Sequence, residues 1–489
     1  MFRDRSASVL AMVAVAGILM PTVIAAQVTF QRTYGGTGDD IGSAVQQCTD
    51  SGYVITGFTS SFGAGSDDVY LVRTNARGET LWTRTFGGAM WDGGNCVQQT
   101  VDGGFVIVGS TQSFGAGSVD VYLVKTDASG DTIWTRTFGG TGIETGTSVQ
   151  QTADSGYVIV GFSSSFGAGA ADVYLIKTRA NGDTMWTRTF GSAFNYEAGN
   201  SVRQTADGGY VVAGEKTPVS TGLGDVWFLK TNSHGDTLWT RTFGGDSVEV
   251  AKDVRQTAEG GYLVGGSTRS FGAGANDVYL VRTDSNGNQE WCGAYGGTGA
   301  DVGASTLQVG DDAYVVAGAS ASFGAGGDDV YLVKTDADGD LLWTQTFGGD
   351  SNDVAYSVQR TRDGGYVMAG YTASSGAGGY DVWLIKTDSL GSVGAAEPRT
   401  NSTPTRGFAV TCEPNPCRGT TTVGLKLQAS SSKPVALRVY DASGCLVHSE
   451  SGLRTSSFRL DLWSMPVGAY FVRCDVAGQH ATARLVVQR

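Results

Sequence analysis

Histidine is nearly absent: the chain has 3 in 489 residues, and His448 and His480 fall close to its C-terminus. With only His234 in the rest, histidine-based triads and histidine metal clusters are excluded from most of the protein. Proline is scarce at 8 residues, so that proline and the 74 glycines together make about 17% of the chain. That is below the ~25–30% that marks low-complexity disorder. No apolar run reaches the ~20 residues of a membrane-spanning helix. Between residues 28 and 393 no stretch carries a helical period. Positive charge is also short, with 34 basic against 47 acidic residues and a net charge of -13. Such a balance offers no footprint for nucleic acid or for an anionic membrane.

What is present is repetition. The stretch Trp134-Thr135-Arg136-Thr137-Phe138-Gly139-Gly140 returns nearly unchanged behind Trp82, Trp186, Trp239, Trp291 and Trp343, at steps of 52 or 53 residues. A seventh, degenerate copy opens at Phe30. Within one unit, Thr147 to Thr152 reads as extended and Ala153-Asp154-Ser155-Gly156 as a tight turn, and Tyr157 to Gly161 as an apolar strand. Asp172 to Thr178 and Met185 to Phe190 supply two more strands, joined by a glycine hairpin. Each unit is thus expected to be a four-stranded antiparallel meander, too small to bury both faces alone. Seven of them predict a seven-bladed β-propeller over residues 27–393. The last unit has Ala395 where its fourth strand should begin, while a spare strand, Val28 to Tyr34, stands at the other end. The N-terminal strand is expected to close the last blade as its outermost strand, giving an edgeless ring that stays monomeric.

Residues 1–26 read as a signal peptide: Arg3 and Arg5, an apolar run from Val9 to Met20, then the small residues Ala25-Ala26. Residues 394–407 form a polar, proline-containing linker. Residues 408–489 alternate apolar and polar in short strands, as a small Ig-like β-sandwich does.

Two resemblances follow. The strand order resembles that of WD-type propellers, and the wording Gln-Gln-Thr-x-Asp-Gly-Gly-Tyr, Ser-Phe-Gly-Ala-Gly and Asp-Val-Tyr-Leu-Val-Lys-Thr resembles a family of secreted bacterial propeller repeats. This implies a fold and no reaction. In the tail, Asn415-Pro416, Val439-Tyr440-Asp441-Ala442-Ser443-Gly444, Pro466 to Val472 and Arg484-Leu485-Val486-Val487 resemble the C-terminal sorting domain of type IX (Por) secretion cargo. That resemblance implies recognition by an outer-membrane export machine, reached through the periplasm, and release or display at the cell surface. Cys445 and Arg484 depart from the family pattern.

Positions shared by all blades point to the needs of the unit. Asp68, Asp120, Asp172, Asp225, Asp277, Asp329 and Asp381, and the basic residues five places on, are expected to cap loops and form pairs. The hairpin Thr335 to Asp340 has carboxylates spaced as in half an EF-hand, but Phe347 stands where the closing Glu belongs; calcium therefore remains only an outside reading and no metal ligand is assigned. Variable positions are more informative, and they fall in the loops of one face. There Trp91, Asp92, Phe194, Tyr196, Glu197 and Glu215 place aromatics beside carboxylates, a combination suited to stacking on sugar rings and bonding their hydroxyls. The expected function is a non-catalytic binding or structural module for a glycan or a surface protein. The enzyme alternative is a polysaccharide hydrolase or lyase using Asp92, Glu144, Glu197, Glu215 or Glu249 on that face. The repeated tryptophans need no quinone cofactor, since blade packing explains them. Among the cysteines, Cys412 with Cys417 and Cys445 with Cys474 are candidate disulfides after export.

Overall fold

The computed structural model describes residues 27–310 and 313–393 and, further on, the strands between 409 and 487 with Met465 and Pro466. The signal peptide and the linker lie outside the described residues. The chain divides into two compact units, Met1–Ala396 and Glu397–Arg489.

The first unit consists of seven four-stranded antiparallel sheets. Blade 1 runs through Asp40–Gln47, Tyr53–Thr59, Asp68–Thr74 and Thr80–Phe86, and blades 2 to 6 repeat that order. Blade 7 takes Asp353–Arg360, Tyr366–Thr372 and Asp381–Thr387 from its own stretch. Its outer strand is Phe30–Tyr34, which pairs antiparallel with Asp381–Thr387 in the register Phe30 to Lys386 and Tyr34 to Val382. The ring is closed by its N-terminal strand, as the misplaced repeat copy predicts.

The two middle strands of a blade are buried along almost their whole length, except in blade 4, where Glu215 to Pro218 are partly exposed, whereas the outer strands alternate between exposed and covered. Both faces of a blade meet a neighbouring blade, so the middle strands read as continuous apolar runs. The core lies between blades: one cluster joins Val54, Leu71 and Phe86 of blade 1 to Val97, Phe105 and Ile107 of blade 2. Each outer-strand tryptophan reaches forward onto the next blade, as Trp134 does on Tyr157 at 6.0 Å and Trp186 on Tyr210 at 5.9 Å. Phe30 makes the same contact with Tyr53 at 6.0 Å, so the degenerate copy does the work of a tryptophan at the closing joint. Blade packing accounts for the repeated aromatics.

The invariant charges are structural as well. Asp172 Oδ2 accepts the N–H groups of Ala168 and Gly169 at 2.9 and 3.0 Å, closing the Ser-Phe-Gly-Ala-Gly loop. Lys177, 3% exposed, pairs with Asp154 of the first turn at 2.9 Å. Gly161 is fixed by a close approach, since a Cβ there would collide with the Thr145 carbonyl.

Among the described residues the second unit has two antiparallel sheets. One is formed by Ala409–Glu413, Thr420–Lys426 and Ser457–Asp461, and the other by Leu446–Leu453, Val435–Asp441, Gly468–Val476 and Gln479–Val487. Leu437, Val439, Tyr470, Val472, Leu485 and Val487 are buried at alternate positions along their strands. Cys474 is buried. Cys417, Cys445 and the side chain of Cys412 lie outside the described residues, and so do both candidate disulfides.

Candidate functional site

On the variable face, the connection between blades and the loop between second and third strands are bonded together. Gly142 N–H donates to Ser165 Oγ at 2.8 Å, and Ile143 N–H to Ser164 Oγ at 2.7 Å. The structure separates the six candidate residues of this face. Asp92 and Glu197 occupy one repeated position, shared with Asp40, Glu144, Glu249, Asp301 and Asp353, and all seven are fully buried. Asp92 accepts from Gly88 N–H at 2.7 Å and Ser113 Oγ at 2.6 Å, and Glu197 accepts from Ser192 Oγ at 3.0 Å with Lys216 at 3.6 Å. These carboxylates hold the loops and present no surface to a ligand. Reading them as variable was an alignment effect: a one-residue insertion before Glu197 and the Asp/Glu exchange disguise an invariant acid.

The remaining four are reachable. Phe194 is 81% exposed. Tyr196 is half-buried at 5.8 Å from Phe162, and burial together with the Glu215 charge raises its pKa. Burial raises the pKa of Glu215 as well, against the lowering effect of Lys252. Trp91 lies half-buried over Gly93, two blades from Phe194. Tyr196 and Glu215 thus form one cluster, with Phe194 on the same connection, and Trp91 belongs to another sector.

A second region breaks the repeat more sharply. Each inner strand has a bulge, as between Gly146 and Ser148, and the extra residues Ser43, Asn95, Thr147, Asn200, Lys252, Ala304 and Tyr356 line an axial cavity of about 220 Å³. Further along the inner strands, glutamines tie blade to blade. Gln98 and Gln150 accept the N–H groups of Gln151 and Gln204 at 2.6 Å, Gln359 accepts that of Gln47 at 3.2 Å, and Gln46 that of Gln99. In blades 4 to 6 this position holds Arg203, Arg255 and Leu307, and the ladder stops.

In its place stands an ion cluster around Asp253, which is 5% exposed. Arg203 and Arg255 approach its two oxygens at 3.3 and 3.1 Å. Ser201 Oγ donates to it at 2.8 Å, Val254 N–H at 2.9 Å and Thr306 N–H at 3.1 Å. Burial works against ionisation of Asp253, but Arg255, Arg203 and the Thr306 N–H overcome it and keep its pKa below the ordinary value. Beside it, burial and the like charge of Arg255 lower the pKa of Arg203. A second cavity, about 320 Å³, opens beside the cluster between Arg255, Gln256, Leu307, Gln308, Val358, Gln359 and Arg360. Sequence reasoning missed this cluster, although the signal was available as arginine at inner-strand positions where blades 1, 2, 3 and 7 keep glutamine.

Among the described residues, no group of three or more His, Cys, Asp or Glu side chains comes together as metal ligands. The architecture is that of a propeller closed by its N-terminal strand. Residues 414–488 match the family described as the secretion system C-terminal sorting domain. The chain therefore carries the tail of type IX secretion cargo, which engages the export machinery and directs it through the periplasm to the outer cell surface. No curated protein matches the chain. Among solved structures it is similar to a fungal alcohol oxidase of the AA5 family in complex with copper, at 11% identity and a TM-score of 0.43, over 94% of this chain and 100% of that one. It is also similar to the β-propeller domain of the Trilobed protease from Pyrococcus furiosus, with open velcro topology, at 11% identity and a TM-score of 0.37, over 73% and 96%. A third is dimeric latent PorU from Porphyromonas gingivalis, at 12% identity and a TM-score of 0.15, over 65% and 31%.

Proposed function

We propose that the propeller is a non-catalytic binding module delivered to the cell exterior, with an extracellular glycan or surface protein docking on the face that carries Phe194, Tyr196 and Glu215. The observation that carries this reading is the burial of the repeated acids. A glycosidase needs two carboxyl groups flanking the scissile bond, ~5–10 Å apart and open to substrate. Asp92, Glu144, Glu197 and Glu249 are all fully buried and hold loop backbone or hydroxyls. An exposed phenylalanine beside a tyrosine and a carboxyl group supplies stacking and hydrogen bonding, which suffice for binding.

One observation favours the enzyme alternative. Glu215 is a half-buried carboxyl with a raised pKa, the property of a general acid. Binding of the full mature chain to a polysaccharide array, together with an assay for newly released reducing ends, separates the two. The binding reading expects retention on at least one polysaccharide with no release, and weakened retention in Phe194→Ala. Release of reducing ends that disappears in Glu215→Gln would replace the module with a hydrolase.

A further inference from the structure

We propose that the axial channel binds a small oxyanion, a carboxylate or phosphate group, between Arg203 and Arg255, with Arg360 at its mouth. This inference is independent of the rim reading and uses a different surface. In a chain of net charge -13, the channel is lined by neutral side chains on blades 1 to 3, such as Ser43, Gln46, Asn95, Gln98, Thr147 and Gln150. On blades 4 to 7 the two cavities bring together Arg203, Lys252, Arg255 and Arg360.

The acid inside does not balance them. Both Asp253 oxygens are occupied by Ser201, Val254 N–H, Thr306 N–H and Ser305 as well as by the two guanidinium groups. Two guanidiniums thus share one saturated carboxylate, and the buried Nε of Arg203 has no partner. An oxyanion in the cavity adds charge-assisted bonds to guanidinium groups whose charge Asp253 alone does not balance. The forked guanidinium matches the paired oxygens of carboxylate or phosphate. Cavities of about 220 and 320 Å³ meeting at Arg255 and Gln359 admit a group of that size.

A purely structural role for the cluster makes opposite predictions. Replacing Arg203 and Arg255 by glutamine restores the residue found in blades 1 to 3 but leaves Asp253 buried without a cation, so the melting curves establish whether the variant is folded. The experiment is calorimetric titration of the mature full chain with inorganic phosphate and with galacturonate, at constant ionic strength set by sodium chloride, alongside melting curves. Saturable binding by either ligand, weakened about tenfold or more in Arg203→Gln plus Arg255→Gln, is expected. Which of the two binds more tightly identifies phosphate or carboxylate as the preferred group. Asp253→Ser, which takes away the internal competitor, is expected to tighten binding. Phe194→Ala is expected to leave it unchanged. Absence of saturable binding by both ligands, or equal binding in the double variant and the wild type, overturns the proposal. Should the double variant not fold, Arg360→Gln at the mouth takes its place, and unchanged affinity there has the same force.

Discussion

Around the axis, blades 1 to 3 offer Gln46, Gln98 and Gln150 where blades 4 to 6 offer Arg203, Arg255 and Leu307. Away from the axis the two halves are hard to tell apart. Trp134 meets Tyr157 at 6.0 Å in one half and Trp239 meets Tyr262 at 6.0 Å in the other. Lys177 pairs with Asp154 at 2.9 Å, and Lys230 with Asp207 at 2.9 Å. Blade adhesion therefore resides in the outer and middle strands, where selection for the ring keeps every unit alike. The inner strand is secured independently, because a second glutamine in blades 1 to 6 bonds the first turn of the preceding blade, as Gln204 does with Ala153 N–H at 2.9 Å and Gln256 with Ala206 N–H at 3.0 Å. With that link in place, the other glutamine position is free to change, and in blades 4 to 6 it has.

If this division is right, substitutions in the shared part must have equal effects in both halves. The largest are expected at the inter-strand glycines. Gly161→Ala and Gly214→Ala each place a Cβ against a neighbouring carbonyl, Thr145 and Ala198 respectively, and each is expected to cost about 3 kcal/mol by denaturant unfolding. A difference of more than about 1 kcal/mol between them would show that the halves are not equivalent in their sheets. Next come Asp154→Ala and Asp207→Ala, which leave Lys177 and Lys230, both 3% exposed, without a counter-charge. About 2 kcal/mol is expected from each, less than for a fully buried pair because the acids are more than half exposed.

These acids also set a pH dependence. Burial pushes Asp207 upward, but its bonds with Thr205, Lys230 and Gly209 N–H prevail and bring its pKa from 3.8 down to about 2. A depressed carboxyl contributes stability above its unfolded pKa and loses it as pH falls through the folded value. The stability difference between wild type and Asp207→Ala should hold above pH 4 and shrink between about pH 4 and 2. At the axis the halves should part. Gln150→Ala removes the acceptor for Gln204 N–H and is expected to cost about 1 kcal/mol, whereas Arg203→Gln leaves the buried Asp253 with Arg255 alone and is expected to cost about 2 kcal/mol.

The ring, its blade count and its closing strand were legible because each is a matter of period and register, and Trp-to-Trp spacing carries both. The loop-capping role of Asp172 was legible for the same reason: it recurs beside the glycine loop that it closes. The site was legible only in part. Glu197 reads as a variable surface acid in sequence because the extra residue in its connection shifts it out of line with Glu144, and only the shared burial restores the correspondence. Arg203 and Arg255 sit within strands whose neighbours match the repeat, and their significance depends on Asp253, 50 and 2 residues away, meeting both at the axis. Linear spacing carries no trace of that convergence.

The smallest effect on stability is expected at the rim. Phe194 is 81% exposed, so removing its ring uncovers little apolar surface, and Phe194→Ala should change unfolding free energy by less than about 0.5 kcal/mol. Tyr196→Phe should be nearly as mild: its ring keeps its place 5.8 Å from Phe162, and only the hydroxyl whose pKa burial and the Glu215 charge raise is lost. Loss of polysaccharide retention in both variants, at unchanged stability and unchanged oxyanion binding, would assign the rim and the axis to different ligands. Loss of oxyanion binding in Phe194→Ala would instead mean that one ligand spans from rim to axis, and blades 4 to 6 would then be a single site rather than two.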